Sequence, residues 1–292
     1  MTRTCTAPLA DIPGDRGTAP GMATMLRGVP TPPAAAGGRR PASPADQAAL
    51  YLYGITVAGA AAGIAGGVAG AAVETIVEGG LAAVVSRLGG ARLRPQRAHL
   101  AAHHRVLRDL AAAASILPVV FGTLVSREDD LRGVLRQNHE AWASRLARLD
   151  HKVEMGLKVY WDLPNVFEYF VATHQELEAM RNRLFRPGRA PSVEEKVALG
   201  ELFAALLQQA RQRHARRIQE ALAPSCVEVR SIDPGDERMI LKCACLVESG
   251  RQAQWEAGVH RAAGLFDDHY RFDYNGPWPP YNFAEIDLTC SS

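Results

Sequence analysis

The stretch KVEMGLKVYWD, residues 152–162, decides how the second half of the chain is read. Val153, Met155, Leu157, Val159 and Trp161 alternate with Lys152, Glu154, Gly156, Lys158 and Tyr160. Successive side chains of a strand point to opposite faces, so the spacing predicts a strand with one buried and one largely wet face. After it, a helical stretch over residues 165–185 is broken by RPGRAP. Ser192 and Glu195 then form a capping box that opens a long helix to about residue 222, with Val197, Phe203, Leu206, Leu207, Ala210 and Ile218 inward. CVEVRSI, a DPGD turn and RMILKCACLV read as a hairpin. A helix over residues 251–263 precedes a last strand, HYRFDYN. From residue 152 the order is therefore β, α in two pieces, β, β, α, β, which is the split βαβ or ferredoxin-like order with an elongated first helical segment.

The first half is less regular. LYLYGIT (residues 50–56) predicts a strand, and LAAVVS (residues 81–86) a second one after the turn glycines Gly79 and Gly80. Leu100, Val106, Leu107 and Leu110 trace one face of a helix over residues 95–115. ILPVVFGT (residues 116–123) is an apolar strand-like run that Pro118 marks as edge or irregular. Ser126 with Asp129 resembles a capping box for a helix to about residue 150, whose stripe is Leu131, Val134, Leu135, Trp142, Leu146 and Leu149. The fold class is thus α+β in two domains, residues 50–150 and a ferredoxin-like 151–288, preceded by a disordered Pro/Gly/Ala/Arg-rich tail over residues 1–49.

Composition bounds the function. The chain has 292 residues, of which 47 % are hydrophobic and 22 % charged, with a net charge of +2. It can bury a sizeable core, and it is neither a basic nucleic-acid binder nor an acidic tail protein. Five cysteines, an odd and scattered set, point to reduced thiols in a cytoplasmic protein. The N-terminus lacks the apolar run of a secretory signal. Residues 47–73 carry no charge and contain GxxxG pairs such as Gly59/Gly63, Gly63/Gly67 and Gly66/Gly70. That spacing packs transmembrane helices, but Ala and Gly supply little transfer energy. The reading is a flexible or weakly helical connection without transmembrane insertion.

Candidate chemistry is sparse. His99 and His103 lie four apart beside His104, but there is no H-E-x-x-H, so a helix-surface or interface role is expected. Cys243 and Cys245 share one face of a strand near Cys226, yet a fourth ligand is missing and strand cysteines are usually core residues. The ferredoxin-like order and the arginines around residues 211–217 give a nucleic-acid-binding or regulatory protein as the alternative function, but the strand MILKCACLV offers no base-stacking platform and the arginines read as a solvated helix face. Ser115 and Ser126 read as helix-end residues, and the adjacent Asp267 and Asp268 point apart in extended chain. No enzyme, cofactor or metal is expected.

Read in order, YLYGI, LAAVVS, HHRVLRDL, ILPVVFGT, GLKVYWD, EEKVALGELF, CACLVES and YRFDYNGPWPPYNF resemble the gas vesicle protein F/L family from residue 51 to about 283. The most specific pieces are Pro118-x-x-Phe121-Gly122-Thr123 and Gly276-Pro277-Trp278-Pro279-Pro280-Tyr281. The long tail and the Gly/Ala run over residues 58–72 depart from the family pattern. The resemblance implies a non-enzymatic minor gas vesicle protein of two α+β domains, the second a modified ferredoxin-like fold. It implies a role in assembling the gas-filled shell that confers buoyancy. The implied partners are the major shell protein and accessory proteins, with no nucleic acid, and the implied location is the vesicle, or the cytoplasm during assembly. Tyr53, Gly54, Ser86, Pro118, Phe121, Gly122, Gly276, Pro277, Trp278, Pro279, Pro280, Tyr281 and Phe283 are the motif residues expected to serve structure or an interface. Trp278, Tyr281 and Phe283 are expected to fold back over the protein, because three prolines stop the last strand at Asn275 and Gly276.

Overall fold

The computed structural model describes residues 49–60, 63–64, 66–89, 96–284 and 286; the expected tail lies outside these. The first sheet contains β1 (Ala49–Val57), β2 (Glu74–Glu78), β3 (Leu81–Leu88), β4 (Ile116–Pro118) and the short β5 (Leu124–Val125). Its order is β2-β3-β1-β4, with β5 also on β1. Helix α1 (Arg97–Ala113) links β3 to β4, and α2 (Glu128–Gln137) and α3 (His139–Arg148) follow β5. The second sheet has the order β7-β8-β6-β9, formed by β6 (Lys152–Trp161), β7 (Glu228–Ile232), β8 (Met239–Glu248) and β9 (Tyr270–Trp278). Between β6 and β7 run α4 (Val166–Thr173), α5 (Gln175–Leu184) and α6 (Val193–Leu222). Helix α7 (Gln252–Ala263) precedes β9, and one last turn, α8 (Tyr281–Ala284), follows it. All strand pairs are antiparallel.

Alternation along β1 explains the layering. Leu50, Leu52 and Ile55 enter one core cluster, while Tyr51 and Tyr53 enter another with Val106, Leu107 and Leu110 of α1. The first of these clusters also takes Trp142 and Leu146 of α3, Phe283 of α8, and Ala244 and Leu246 from the second sheet. Helices α2, α3 and α8 therefore lie between the two sheets and share a core with both. The other face of the second sheet packs Met155, Leu157, Val159 and Trp161 against α4 to α7, including Leu199, Ile218 and Trp255. A strand clad on both faces must be apolar on both, as β1 and β3 are.

Several expectations are corrected. Residues 74–78 form β2, paired with β3 across Gly79 and Gly80, where short alternation around Ile76 gave little signal. The single helix expected over residues 126–150 breaks at Asn138. Its N-cap is Arg127, and Ser126 makes no capping bond. Val197 is exposed on α6 instead of inward. The expected wet face of β6 includes the buried Glu154. Strand β9 continues through Pro277 to Trp278 by a register shift opposite residues 154–156. Gly276 permits this: its φ is +133°, and an added Cβ would meet Met155 Sδ at 2.7 Å. Among the described residues, no helix is long and apolar enough to cross a membrane.

The two capping boxes separate cleanly. Ser192 Oγ accepts the Glu195 N–H at 3.3 Å, and Glu195 Oε2 accepts the Ser192 N–H at 3.1 Å. Ser192→Ala is expected to lower stability by about 1 kcal/mol, and Ser126→Ala to leave it within about 0.5 kcal/mol. Urea titrations of the two variants check this.

Candidate interaction site at the junction of the sheets

Two tyrosines on one face of β1 organise the loops around the motif residues. The Tyr53 hydroxyl accepts the Val68 N–H at 2.7 Å and lies 3.0 Å from Ser86 Oγ, which donates to the Ala72 carbonyl at 2.7 Å. Ser86 spends its proton on Ala72, so Tyr53 donates to Ser86, and the chain runs Val68 to Tyr53 to Ser86 to Ala72. This relay holds the Gly/Ala segment over residues 66–72 against the sheet, with Val68 fully buried. The flexible or weakly helical connection expected there is, over these residues, an anchored loop that carries one short 3-10 turn, Val68–Gly70.

Tyr51 does the same for the second loop. Its hydroxyl accepts the Gly122 N–H at 3.2 Å and lies 2.8 Å from His103 Nδ1. The phenol therefore donates to Nδ1, and the His103 proton sits on Nε2, facing the backbone of Val119. Phe121 closes the group edge-on, 6.1 Å from Tyr51 and 5.6 Å from His103. Pro118 pairs opposite Gly54, where an added Cβ would lie 2.6 Å from the Leu117 carbonyl. Gly122 takes the turn at φ +92°. Burial, reinforced by the neighbouring His104, holds the His103 imidazole down to about 4. His103 is neutral and internal, which corrects the helix-surface role expected for it; His99 and His104 are only half-buried.

The C-terminal motif reaches this junction from the other sheet. Pro279 and Pro280 are buried, Trp278 is half-buried, and Pro277 is exposed. Trp278 Nε1 donates to Asn275 Oδ1 at 3.0 Å. Tyr281, 36 % exposed, lies 6.4 Å from the His104 ring, and Phe283 is fully buried. The turn carrying them is tied from three sides. Glu154 accepts the Asn282 backbone N–H at 2.8 Å and its side-chain amide at 2.6 Å. Arg230 Nη1 donates to the Asn282 carbonyl at 2.7 Å, and Arg148 Nη2 to the Phe283 carbonyl at 2.9 Å. Desolvation raises the Glu154 carboxyl above its ordinary value against the Asn282 bonds and the Arg230 charge. Glu154, Asn282, Arg148 and Arg230 escaped the sequence reading; a carboxylate on a strand face looks solvated until α8 is known to cover it.

Residues 277–280 also form one wall of a cleft of about 920 Å³. Its other walls are the alanines 111–114 that end α1, with Leu146, Leu149 and Asp150. Asp150 Oδ1 accepts the Ser115 hydroxyl at 2.9 Å, fixing that corner. The wall made by these prolines and alanines is small and apolar, while Arg108, Asp109, His139, His151 and Lys152 line the rest of the cleft.

The remaining candidates are not brought into a catalytic or metal arrangement. Among the described residues, no group of three or more His, Cys, Asp or Glu could hold a metal ion. Cys243 and Cys245 are buried core residues, and Cys226 is half-buried. A hydrogen bond with Cys245, then burial, pushes the Cys226 thiol well up, so it stays protonated. On α6, Arg211 donates to the Glu237 carbonyl at 2.9 Å, and Arg217 lies over the Phe266 ring at 5.3 Å.

Two outcomes are expected at the junction. The depressed His103 value means that the unfolded chain binds the extra proton as pH falls below about 6.5, so stability is present above that pH and is lost toward pH 4. Between pH 7 and pH 5 this loss is about 2 kcal/mol, and His103→Gln removes it; urea melts of both proteins at the two pH values compare them. Phe283→Ala is expected to cost about 3–5 kcal/mol, and Tyr281→Ala under about 1 kcal/mol, by the same melts.

Comparison with known proteins gives a consistent identity. Residues 49–285 match the family model described as gas vesicle synthesis protein GvpL/GvpF. A gas vesicle protein F of Streptomyces sp. (strain CB03234) is 35 % identical over 215 residues, which cover 73 % of this chain and 88 % of that one. The gas vesicle protein F of Dolichospermum flosaquae is 27 % identical over 65 % of this chain and 78 % of its own. The crystal structure of GvpF from Anabaena sp. PCC7120 aligns with a TM-score of 0.73 at 25 % identity, covering 82 % of this chain and 99 % of that one. The match spans both sheets and both motif loops, and the chain belongs to the gas vesicle GvpL/GvpF family.

Proposed function

We propose that this chain is a non-enzymatic minor structural or assembly protein of gas vesicles. In this reading it binds the major shell protein and accessory proteins while the gas-filled shell forms, acting in the cytoplasm and at the vesicle. The observation that carries the reading is family membership over nearly all the described residues, in a family named for gas vesicle synthesis. The antiparallel order β7-β8-β6-β9, with α4 to α7 on one face, supports a modified ferredoxin-like second domain over residues 151–288, beside a first domain over residues 50–150. The motif residues then have two roles. Tyr53, Gly54, Ser86, Pro118, Phe121, Gly122, Gly276, Pro280 and Phe283 set the loops and close the junction. Pro277, Trp278, Pro279 and Tyr281 meet solvent or line the cleft and are assigned to partner contact.

The test is a vesicle gene cluster carrying this gene, expressed in a host that makes no vesicles. Deleting the gene is expected to abolish vesicles, and the purified chain is expected to capture the major shell protein. Trp278→Arg is expected to weaken that capture at least tenfold while leaving the thermal transition in place. Vesicles of normal yield without the gene, together with no capture, would overturn the proposal.

A further inference from the structure

Strand β9 ends the second sheet and pairs with β6 alone among the described strands. Its hydrogen-bonding parity follows from one contact: the Asp162 N–H donates to the His269 carbonyl at 2.7 Å. Residues of an antiparallel strand alternate between bonding the partner and facing away. Arg271 and Asp273 therefore bond toward β6, opposite Tyr160 and Lys158, while Tyr270 and Phe272 turn their N–H and C=O groups to the open edge. The side chains alternate too. Arg271 and Asp273 are exposed, whereas Tyr270 and Phe272 are half-buried beside Phe266, at 4.8 and 5.8 Å. The opposite edge differs, because Glu228 and Arg230 of β7 are engaged by Arg148 and by α8.

We propose that two copies of this chain pair antiparallel through β9, joining their four-stranded sheets into one. A two-fold axis at Phe272 sets that residue opposite its own copy, which the parity allows. The same register sets Arg271 opposite the second copy's Asp273, twice, at the closely spaced non-hydrogen-bonded positions. Sliding the register by one allowed step puts Arg271 opposite Arg271 or Asp273 opposite Asp273, and like charges directly opposed are destabilising. One register is thus chosen by charge and parity together. Edges are blunted by charged side chains, a bulge or proline along the pairing stretch, and charges exclude a partner where like faces like. In β9 the bulge and Pro277 lie beyond the paired span, and the exposed charges alternate in sign. Arg271 bridges Asp273 within the strand at 3.2 Å and lies 4.8 Å over the Tyr160 ring of β6. Both charged groups thus stand on the same exposed face of the sheet, where a second copy's Asp273 and Arg271 would extend the ion pair.

The test is sedimentation velocity of the full chain from about 1 to 300 µM, with residue-resolved amide exchange at both ends of that range. A concentration-dependent shift from one chain to two is expected, with the Phe272 amide gaining protection only at high concentration. Asp273→Arg is expected to weaken the dimer at least tenfold, and the swap R271D/D273R to restore it to within about threefold. Both positions are exposed, so near-ultraviolet dichroism is expected to be unchanged; if a variant fails to fold, the Phe272 amide of the unaltered protein decides. A single chain at every concentration overturns the proposal. So does a dimer with an unprotected Phe272 amide, or protection that requires a different protein.

Discussion

Phe283 sits in a core that belongs to neither sheet alone. Its ring lies in one cluster with Leu50 and Leu52 of β1, Trp142 of α3 and Leu246 of β8. That layer takes side chains from both sheets. Its geometry explains the buried carboxylate of Glu154, which breaks the polar face of β6. A lone buried carboxylate is costly, whereas one that accepts two N–H groups of Asn282 positions the turn that seats Phe283. The cost and the benefit fall on neighbouring residues, so neither can be judged separately. Arg148 and Arg230 complete the arrangement by accepting Glu228 as a shared counter-charge while donating to the turn's carbonyls.

The two hydroxyl relays extend the same logic to the first sheet. Loops are rich in backbone groups that cannot be buried unpaired. Tyr51 and Tyr53 carry a hydroxyl through an apolar layer to meet those groups, on rings that themselves fill the core 4.9 Å apart. His103 completes the Tyr51 relay only as the neutral imidazole, since a protonated ring has no acceptor for the phenol proton. Its depressed value is therefore the condition of the loop's geometry, and needs no catalytic explanation.

Much of this fold is legible in the residue pattern, and the exceptions have a physical cause. Residues 152–161 alternate because one side of β6 faces a thick helical layer, and the Ser192–Glu195 box is local chemistry that needs no tertiary context. Features that depend on distant partners are hidden. Strand β2 is short and mostly exposed, held by its ladder to β3 and by the single buried Ile76, with exposed ion pairs such as Arg87 with Glu74 and Arg132 with Glu78 at its rim, and so leaves little periodicity to read. Ser126 has the right neighbours for a cap and loses to Arg127 by backbone geometry alone. At the candidate site, Tyr53, Ser86, Phe121 and Gly122 were recognisable as motif residues, but their grouping around His103 was not. Only the fold brings residues 51, 103 and 122 together.

The same distinction bears on how a chain without an evident reaction centre can act. A contact surface needs fixed positions more than reactive groups, because ordering a loop at the moment of binding costs affinity. Here four polar side chains near the junction, three of them buried beside the exposed Asp150, are used for positioning. Tyr51 and Tyr53 hold loops, Glu154 holds a turn, and Asp150 holds the end of α1 through Ser115. What they leave facing outward is a wall of proline, alanine and a half-buried tryptophan. Prolines have no backbone N–H to satisfy and little freedom left to lose, so such a wall is rigid before any contact is made. The stretch GPWPPY thus joins a glycine that fits against Met155 to a rigid apolar strip and an anchored aromatic turn. Its composition follows from the need to end an edge strand, line a cleft and close a core within a few residues.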